Sequence, residues 1–292
     1  MSAVYNRLMS VARRTLPPRI KTALRILVRR PPITYSRAYP SWIAAKRDAV
    51  GYGQPAILEA IRTSALAVKE GRAVYEKDSI AHAKPAFRWP LLACLLHAAL
   101  HENASSGRPF HVLDFGGSLG SLYFQHLAFL DSMPALLWSV VELPDFVRTG
   151  NAEFADERLH YFNTIKEVAG RAPIDAAIFS GSLEYLDAPY AVLEQIAAAE
   201  SRYLILDRLH LTTAAEDEIK LQHTKPPLYV AKLAVRFFAT RKLLTYLGSI
   251  GYGLIAALPD NGFFFERKPA ASQWLTDTQQ EGVPKEFVAR AG

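Results

Sequence analysis

The sequence predicts an α/β fold: an open, mostly parallel sheet covered by helices on both faces, closed by an antiparallel hairpin and preceded by a helical N-terminal extension. Three observations carry this. Short apolar runs recur in order at His111–Phe115, Trp138–Leu143, Leu159–Asn163, Ile174–Ser180 and Tyr203–Asp207, with helical or polar stretches between them. That alternation is expected of parallel strands buried on both faces. The first run leads into Gly116-Gly117-Ser118-Leu119-Gly120 and a helical run, Leu122–Leu130, the strand, glycine turn, helix unit of nucleotide-binding folds. Near the end, Tyr252–Leu258 and Phe263–Arg267 flank Pro259-Asp260-Asn261-Gly262, and Asn-Gly between apolar runs is a strong hairpin signal.

The remaining elements follow from charge and periodicity. The chain has 292 residues and a formal net charge of +6. Between Met1 and Arg47 stand eleven Arg and Lys and no acidic residue, which leaves 23 basic against 28 acidic residues elsewhere. The body is mildly acidic and the N-terminal arm carries the excess. Within the arm, Val4, Leu8, Val11 and Ala12, then Ile20, Ala23, Leu24, Leu27 and Val28, form helical apolar stripes separated by Pro17-Pro18 and ended by Pro31-Pro32. Basic amphipathic helices of this kind suit an anionic membrane surface, so residues 1–30 are a candidate membrane contact. Packing on the body or on a partner is the alternative, and nucleic acid is not expected, because no base-stacking aromatics accompany the charge. Pro55 to about Lys69 reads as a helix stopped at Gly71, Ser79–His101 as a second, and Thr240–Ile250 as the last, stopped at Gly251. The expected organisation is a basic arm (1–40), a helical region (41–108), the sheet domain (109–268) and a polar tail (269–292).

Several classes are excluded. A single cysteine, Cys94, allows no intrachain disulfide and no cysteine-rich zinc site. No apolar run reaches the roughly 18 residues of a spanning helix. The expected location is the cytoplasm, at the inner face of the membrane if the arm binds lipid. Asp114-Phe115-Gly116 copies the metal-binding triplet of kinases without the rest of that machinery, Ser180-Gly181-Ser182-Leu183 lacks the closing glycine of a nucleophile elbow, and His97 with His101 lacks a third ligand. No metal is expected.

The segment Asp114-Phe115-Gly116-Gly117-Ser118-Leu119-Gly120 resembles the first motif of class I S-adenosylmethionine-dependent methyltransferases, D/E-x-G-x-G-x-G after the first strand. It departs in carrying Ser118 where the middle glycine is usual, with an additional glycine at 117. A parallel sheet finished by an antiparallel hairpin is also the layout of that class. More narrowly, three stretches resemble a family of inferred methyltransferases often found among bacterial surface-polysaccharide genes. They are LDFGGSLGSLYFQ, the nine residues Gly71-Arg72-Ala73-Val74-Tyr75-Glu76-Lys77-Asp78-Ser79, and SWIAAKRDAVGYG at Ser41–Gly53, within a likeness that runs over about Trp42 to Lys268.

The resemblance implies S-adenosylmethionine as cofactor, S-adenosylhomocysteine as product and a saccharide or other small molecule as acceptor. Gly116, Gly117 and Gly120, with Phe115 and Ser118, would let the backbone approach the cofactor. Asp114 would receive its ammonium and Glu142 both ribose hydroxyls. Asn163 or Thr164 would sit near the adenine edge, unless either merely caps the next helix. Ser180, Gly181 and Ser182 would line the mouth where the methyl passes. A hydroxyl acceptor needs a base, and Glu184, Asp207 and His210 follow strands four and five, where such groups stand. Arg208 is a candidate contact for an anionic substrate, and His223 and Tyr229, in the stretch before the last helix, are further substrate contacts. Two rivals remain at this point: a nicotinamide-dependent Rossmann oxidoreductase, which shares the glycine turn and the acid after strand two, and a non-catalytic scaffold that keeps the cofactor fold. The acceptor and the oligomeric state are left open.

Overall fold

A computed structural model describes residues 31–133 and 135–268. The expectations for the basic stripes, the membrane contact of residues 1–30 and the tail 269–292 lie outside the described residues. Among the described residues, no helix is long and apolar enough to cross a membrane.

The centre is a seven-stranded sheet. The N-terminal part supplies β1 (Ile33–Tyr35), α1 (Trp42–Asp48), α2 (Pro55–Lys69), the hairpin β2 (Tyr75–Lys77) and β3 (Ile80–His82), and α3 (Trp89–Ser106). Then come β4 (Phe110–Phe115), α4 (Ser121–Leu130), β5 (Leu136–Val141), α5 (Pro144–Glu153), β6 (Leu159–Phe162), α6 (Ile165–Arg171) and β7 (Ala176–Ser180). A 3₁₀ turn (Leu183–Tyr185), α7 (Pro189–Ala198) and β8 (Tyr203–Asp207) follow. The last part runs β9 (Leu211–Thr212), β10 (Glu218–Thr224), β11 (Ala231–Ala239), α8 (Thr240–Ser249), β12 (Tyr252–Leu258) and β13 (Gly262–Arg267).

The large sheet has the order β12-β13-β8-β7-β4-β5-β6. Its strands from β8 to β6 pair in parallel, and β13 runs antiparallel between β8 and β12. Counted along the sheet from the far edge, the order is 3-2-1-4-5-7-6 with the seventh strand reversed, which is the class I methyltransferase fold. A dinucleotide-binding Rossmann sheet has no reversed strand in that place. The central strands β7 and β8 (AAIFS and YLILD) are buried along their whole length, which explains their unbroken apolar runs. The closing hairpin turns at Asp260 and Asn261, both in the left-handed region with φ 57°, as Asn-Gly chemistry requires.

Two regions differ from the expectation. The helix foreseen over Ser79–His101 begins only at Trp89. Before it, β2 and β3 form a hairpin through Asp78 (φ 52°) and Ser79 (φ 67°). Three-residue strands are too short to show a period, and an Asp-Ser turn is a weaker signal than Asn-Gly. The stretch from Leu211 to Ala239 folds as β9, β10 and β11, which with β1 make a second sheet of order β1-β10-β11-β9. Residues 33–35, assigned by charge to the basic arm, thus pair with a segment about 190 positions later, Ile33 opposite Thr224 and Tyr35 opposite Gln222. Bridges between Tyr39 and Ile219 and between Val50 and Lys232 continue the seam. Helix α1 is pinned nearby: Ser41 caps it through Ala44 N at 3.2 Å, Trp42 Nε1 donates to Asp187 at 2.9 Å, and Arg236 lies over the Trp42 ring. The second sheet therefore roofs the carboxyl ends of the first.

Candidate active site

Between the two sheets lies a cavity of about 720 Å³. At its first end the chain leaves β4 through the glycine turn. Asp114, at the end of that strand, is fully buried, with Trp138 Nε1 donating to Oδ2 at 3.3 Å. Burial pushes its carboxyl up to about 7, against the pull of the Trp138 hydrogen bond. Gly116 has φ 72°, and a Cβ there would stand 2.6 Å from the Ser182 Cβ; a Cβ on Gly117 would overlap the Asp114 carboxylate. Glycine is therefore required twice in succession.

Ser118 holds the left-handed conformation, φ 57°, that the usual middle glycine would adopt freely. A side chain there costs about 1 kcal/mol. Part of the offset is local: Ser118 N donates to Glu142 Oε1 at 3.2 Å. Glu142 Oε2 accepts from Leu143 N at 2.8 Å, and burial raises this carboxyl too to about 7. Tyr52 stacks on Phe146 beside Glu142, its hydroxyl pushed well above the usual range by burial and then by Glu142. Beyond β6, Asn163 lines the cavity, whereas Thr164 caps α6 by accepting from Glu167 N at 3.2 Å.

At the second end, Ser180 closes β7, and Gly181 and Ser182 follow it. Ser182 Oγ donates to Phe115 O at 2.6 Å, locking the two strand ends together. Glu184, in the 3₁₀ turn, is completely buried; its Oε1 lies 3.0 Å from His210 Nδ1, and its Oε2 has no hydrogen-bond partner. On the other side of the ring, His210 Nε2 lies 2.6 Å from Tyr35 Oη. With Glu184 ionised, Nδ1 carries the proton and Nε2 accepts from the phenol. Burial and the nearby Glu184 both raise the Tyr35 hydroxyl above its usual range. Tyr35, Glu184 and His210 all line the cavity, brought together from three distant stretches of chain.

Of the residues expected at the site, Asp114, Phe115, Gly116, Gly117, Ser118, Glu142, Asn163, Ser180, Gly181, Ser182, Glu184, Arg208, His210 and Tyr229 line this one cavity. Three do not. Gly120, φ 86°, starts α4 where a Cβ would meet Tyr161 Oη at 3.0 Å and Leu159 Cδ2 at 3.1 Å, so it serves helix-on-sheet packing. The Asp207 carboxylate is buried behind the wall, bound by Arg88, accepting from Ser180 Oγ at 2.5 Å and 3.7 Å from Arg208 Nε, which corrects its reading as a candidate base. His223 lies opposite Lys232 in the β10–β11 ladder, and strand alternation gives the cavity its neighbours Gln222 and Thr224 instead.

The sequence reading missed Tyr35, Tyr52, Glu76, Lys77 and Arg88, all of which line the cavity. Glu76 is buried, accepts from Ser79 N at 2.7 Å and from Ser121 Oγ, and is raised by burial to about 7. The stretch Gly71–Ser79 was the available signal for Glu76 and Lys77, but nothing in one sequence says that this hairpin folds onto the start of α4.

No protein-family model matches the chain, and no curated protein sequence matches it. Among solved structures, Burkholderia thailandensis 1,6-didemethyltoxoflavin-N1-methyltransferase, with bound 1,6-didemethyltoxoflavin and S-adenosylhomocysteine, is similar at 18% identity, over 76% of this chain and 94% of that one, TM-score 0.39. CalS10, an amino pentose methyltransferase from Micromonospora echinaspora, is similar at 13% identity, over 64% of this chain and 100% of that one, TM-score 0.40. These likenesses are distant; the fold assignment rests on the strand order.

Proposed function

We propose that this protein is an S-adenosylmethionine-dependent methyltransferase that methylates a hydroxyl or amine of a saccharide or other small acceptor. The observation that supports it is the joint occupancy of one cavity by two sets of residues: the Gly116-Gly117 turn with Asp114 and Glu142 at one end, and the Glu184–His210 pair at the other. The residues fit the cofactor, because Gly116 and Gly117 bring bare backbone to the cavity wall, and the Asp114 and Glu142 carboxyls line the cavity beside them. Asp114 and Glu142 would hold the ammonium and the ribose hydroxyls, with Asn163 at the adenine edge. When bound, the cofactor supplies an electrophilic methyl group on a sulfonium.

The protein's own contribution is positioning and proton handling. The lone pair of the imidazole is at Nε2, where the Tyr35 hydroxyl now lies, so a proton leaving the acceptor passes to the Tyr35 oxygen as the Tyr35 proton moves to Nε2, or reaches Nε2 directly where the acceptor displaces that hydroxyl. The buried Glu184 carboxylate holds the ring in the Nδ1–H tautomer and then stabilises the imidazolium. Asp207 acts one layer further out, fixing Arg88, Arg208 and Ser180. A role in surface-polysaccharide biosynthesis, with residues 1–30 on an anionic membrane, is the finer part of the proposal and rests on the sequence strings and the basic arm. Liposomes containing anionic lipid should then retain the full chain and not one starting at Pro31, which keeps β1; equal retention of both removes the membrane contact.

Calorimetry with S-adenosylhomocysteine, NADH as control and a Glu142→Ala variant tests the core reading. Saturable binding of the homocysteine product that weakens in the variant supports it. NADH binding in its place overturns it, and product binding without turnover across a broad panel of glycan and small-molecule acceptors would leave a scaffold.

A further inference from the structure

The cavity holds basic groups that the proton chemistry does not use. Lys77 on β2, Arg88 ahead of α3 and Arg208 after β8 all line it. Their ion-pair partners lie behind or outside the wall: Asp207, which does not reach the cavity, binds Arg88 and stands 3.7 Å from Arg208, and Asp260 takes Arg88 Nη1 at 3.2 Å. Arg208 is set with care. Its backbone is left-handed, φ 60°, while Nε donates to Ser180 Oγ at 3.1 Å and Nη2 to Ser180 O at 2.8 Å. A strained backbone held by side-chain bonds is a feature of binding sites. Arg88 Nε is buried without a hydrogen-bond partner, and among the described residues Lys77 has no ion-pair partner. Burial first, then Arg208, push the Lys77 ammonium below its ordinary range. Of the acids that line the cavity beside it, Glu76 accepts from Ser79 N and Ser121 Oγ, and among the described residues neither Glu76 nor Asp78 is ion-paired with Lys77, Arg88 or Arg208.

An ammonium and two guanidinium groups converging on one wall match a multiply charged oxyanion better than a single carboxylate. We infer that Lys77, Arg88 and Arg208 form an oxyanion subsite that receives a phosphoryl group carried by the methyl acceptor. The inference rests on the methyltransferase reading for the word acceptor and deepens it by naming the acceptor's class: a phosphorylated small molecule, with Tyr229 on the same wall. The competing source of an oxyanion is the α-carboxylate of the cofactor itself.

Calorimetry on the full chain separates the two, with inorganic pyrophosphate as the probe, titrated alone and after saturation with S-adenosylhomocysteine. The expected result is saturable pyrophosphate binding that survives saturation, weakens at least about 5-fold in Lys77→Ala and is unchanged in Lys242→Ala, whose lysine lies outside the cavity and pairs with Glu216 at 2.6 Å. Affinity for S-adenosylhomocysteine and for 5′-methylthioadenosine, which lacks the amino-acid part, should be equal in Lys77→Ala and the parent. Absence of pyrophosphate binding, competition with S-adenosylhomocysteine, or equal loss in Lys242→Ala overturns the subsite. A Lys77→Ala variant that loses S-adenosylhomocysteine but keeps 5′-methylthioadenosine gives these cations to the cofactor instead. Pyrophosphate binding with no response to S-adenosylhomocysteine would leave the subsite standing and remove the methyltransferase reading, so the two fail separately.

Discussion

The two walls of the cavity are built on different principles. The first, from Asp114 to Asn163, is made of consecutive strand ends, each delivering one or two residues a few positions after an apolar run. Its geometry is set by hydrogen bonds between neighbours in sequence and in the sheet, such as Ser118 N to Glu142 and Leu143 N to Glu142. The second wall is collected from the whole chain. Tyr35 and His210 are 175 residues apart, Arg88 and Asp207 119, and Tyr185 with Gln222 37. A wall made from strand ends holds a ligand common to a fold, and a wall made from insertions holds what differs between proteins on that fold.

That division predicts that the walls fail separately. The largest effect is expected from the second one. His210→Gln should lower turnover by roughly 10²–10⁴-fold, the usual contribution of a positioned acid–base group, on whichever acceptor the panel identifies. Its affinity for S-adenosylhomocysteine should be unchanged. A parallel loss of both would mean that the cavity is one cooperative unit and the comparison is wrong. Gly116→Val should do the converse. The new Cβ conflicts with Ser182, and the φ of 72° disfavours any side chain, so product binding measured by calorimetry should fall by about 100-fold, or roughly 3 kcal/mol. Retained affinity would show that the turn is not where the cofactor lies.

The same division decides what could be read without coordinates. The order β4 to β8, the closing hairpin and the residues Asp114, Gly116, Gly117 and Glu142 were legible, because each is a local pattern: an apolar run, a glycine turn, an acid closing a run. His210 and Glu184 were found by their place after strands, although nothing in the sequence said that they meet. Tyr35 was hidden because a three-residue strand beside a run of arginines looks like part of a basic arm, and its partner strand β10 (EIKLQHT) alternates too weakly to declare itself. His223 and Gln222 show the limit most sharply. A shift of one residue in register exchanges which of the two faces the cavity, and register is a property of the pairing rather than of either strand.

A smaller effect sharpens the first wall alone. Glu142→Ala should weaken S-adenosylhomocysteine by roughly 10-fold, in line with about 1.5 kcal/mol for a hydrogen bond to a charged or strongly polar partner. 5′-Methylthioadenosine, which keeps the ribose, should lose as much. If it does not, Glu142 contacts another part of the ligand.

The smallest effect concerns Glu76, which joins the walls, since it comes from the inserted hairpin β2–β3 yet binds Ser121 at the start of α4. Burial raises its carboxyl from 4.5 to about 7, so between those values the folded chain holds a proton that the unfolded chain has released. Stability drawn from this group is therefore full below about 4.5 and is lost as pH rises through about 7. A glutamine side chain at this position is neutral throughout and does not feel that loss. The difference in thermal midpoint, Glu76→Gln minus parent, should thus grow more positive between pH 5.5 and pH 8, by about 3–6 °C for a chain of this size. A difference that is flat with pH would show that Glu76 is solvated and that the hairpin does not close on the sheet. A difference that grows more negative would show that a cation neutralises Glu76 in the folded chain, which would place one of the neighbouring basic groups, Lys77 or Arg208, on this carboxylate and take it away from the acceptor.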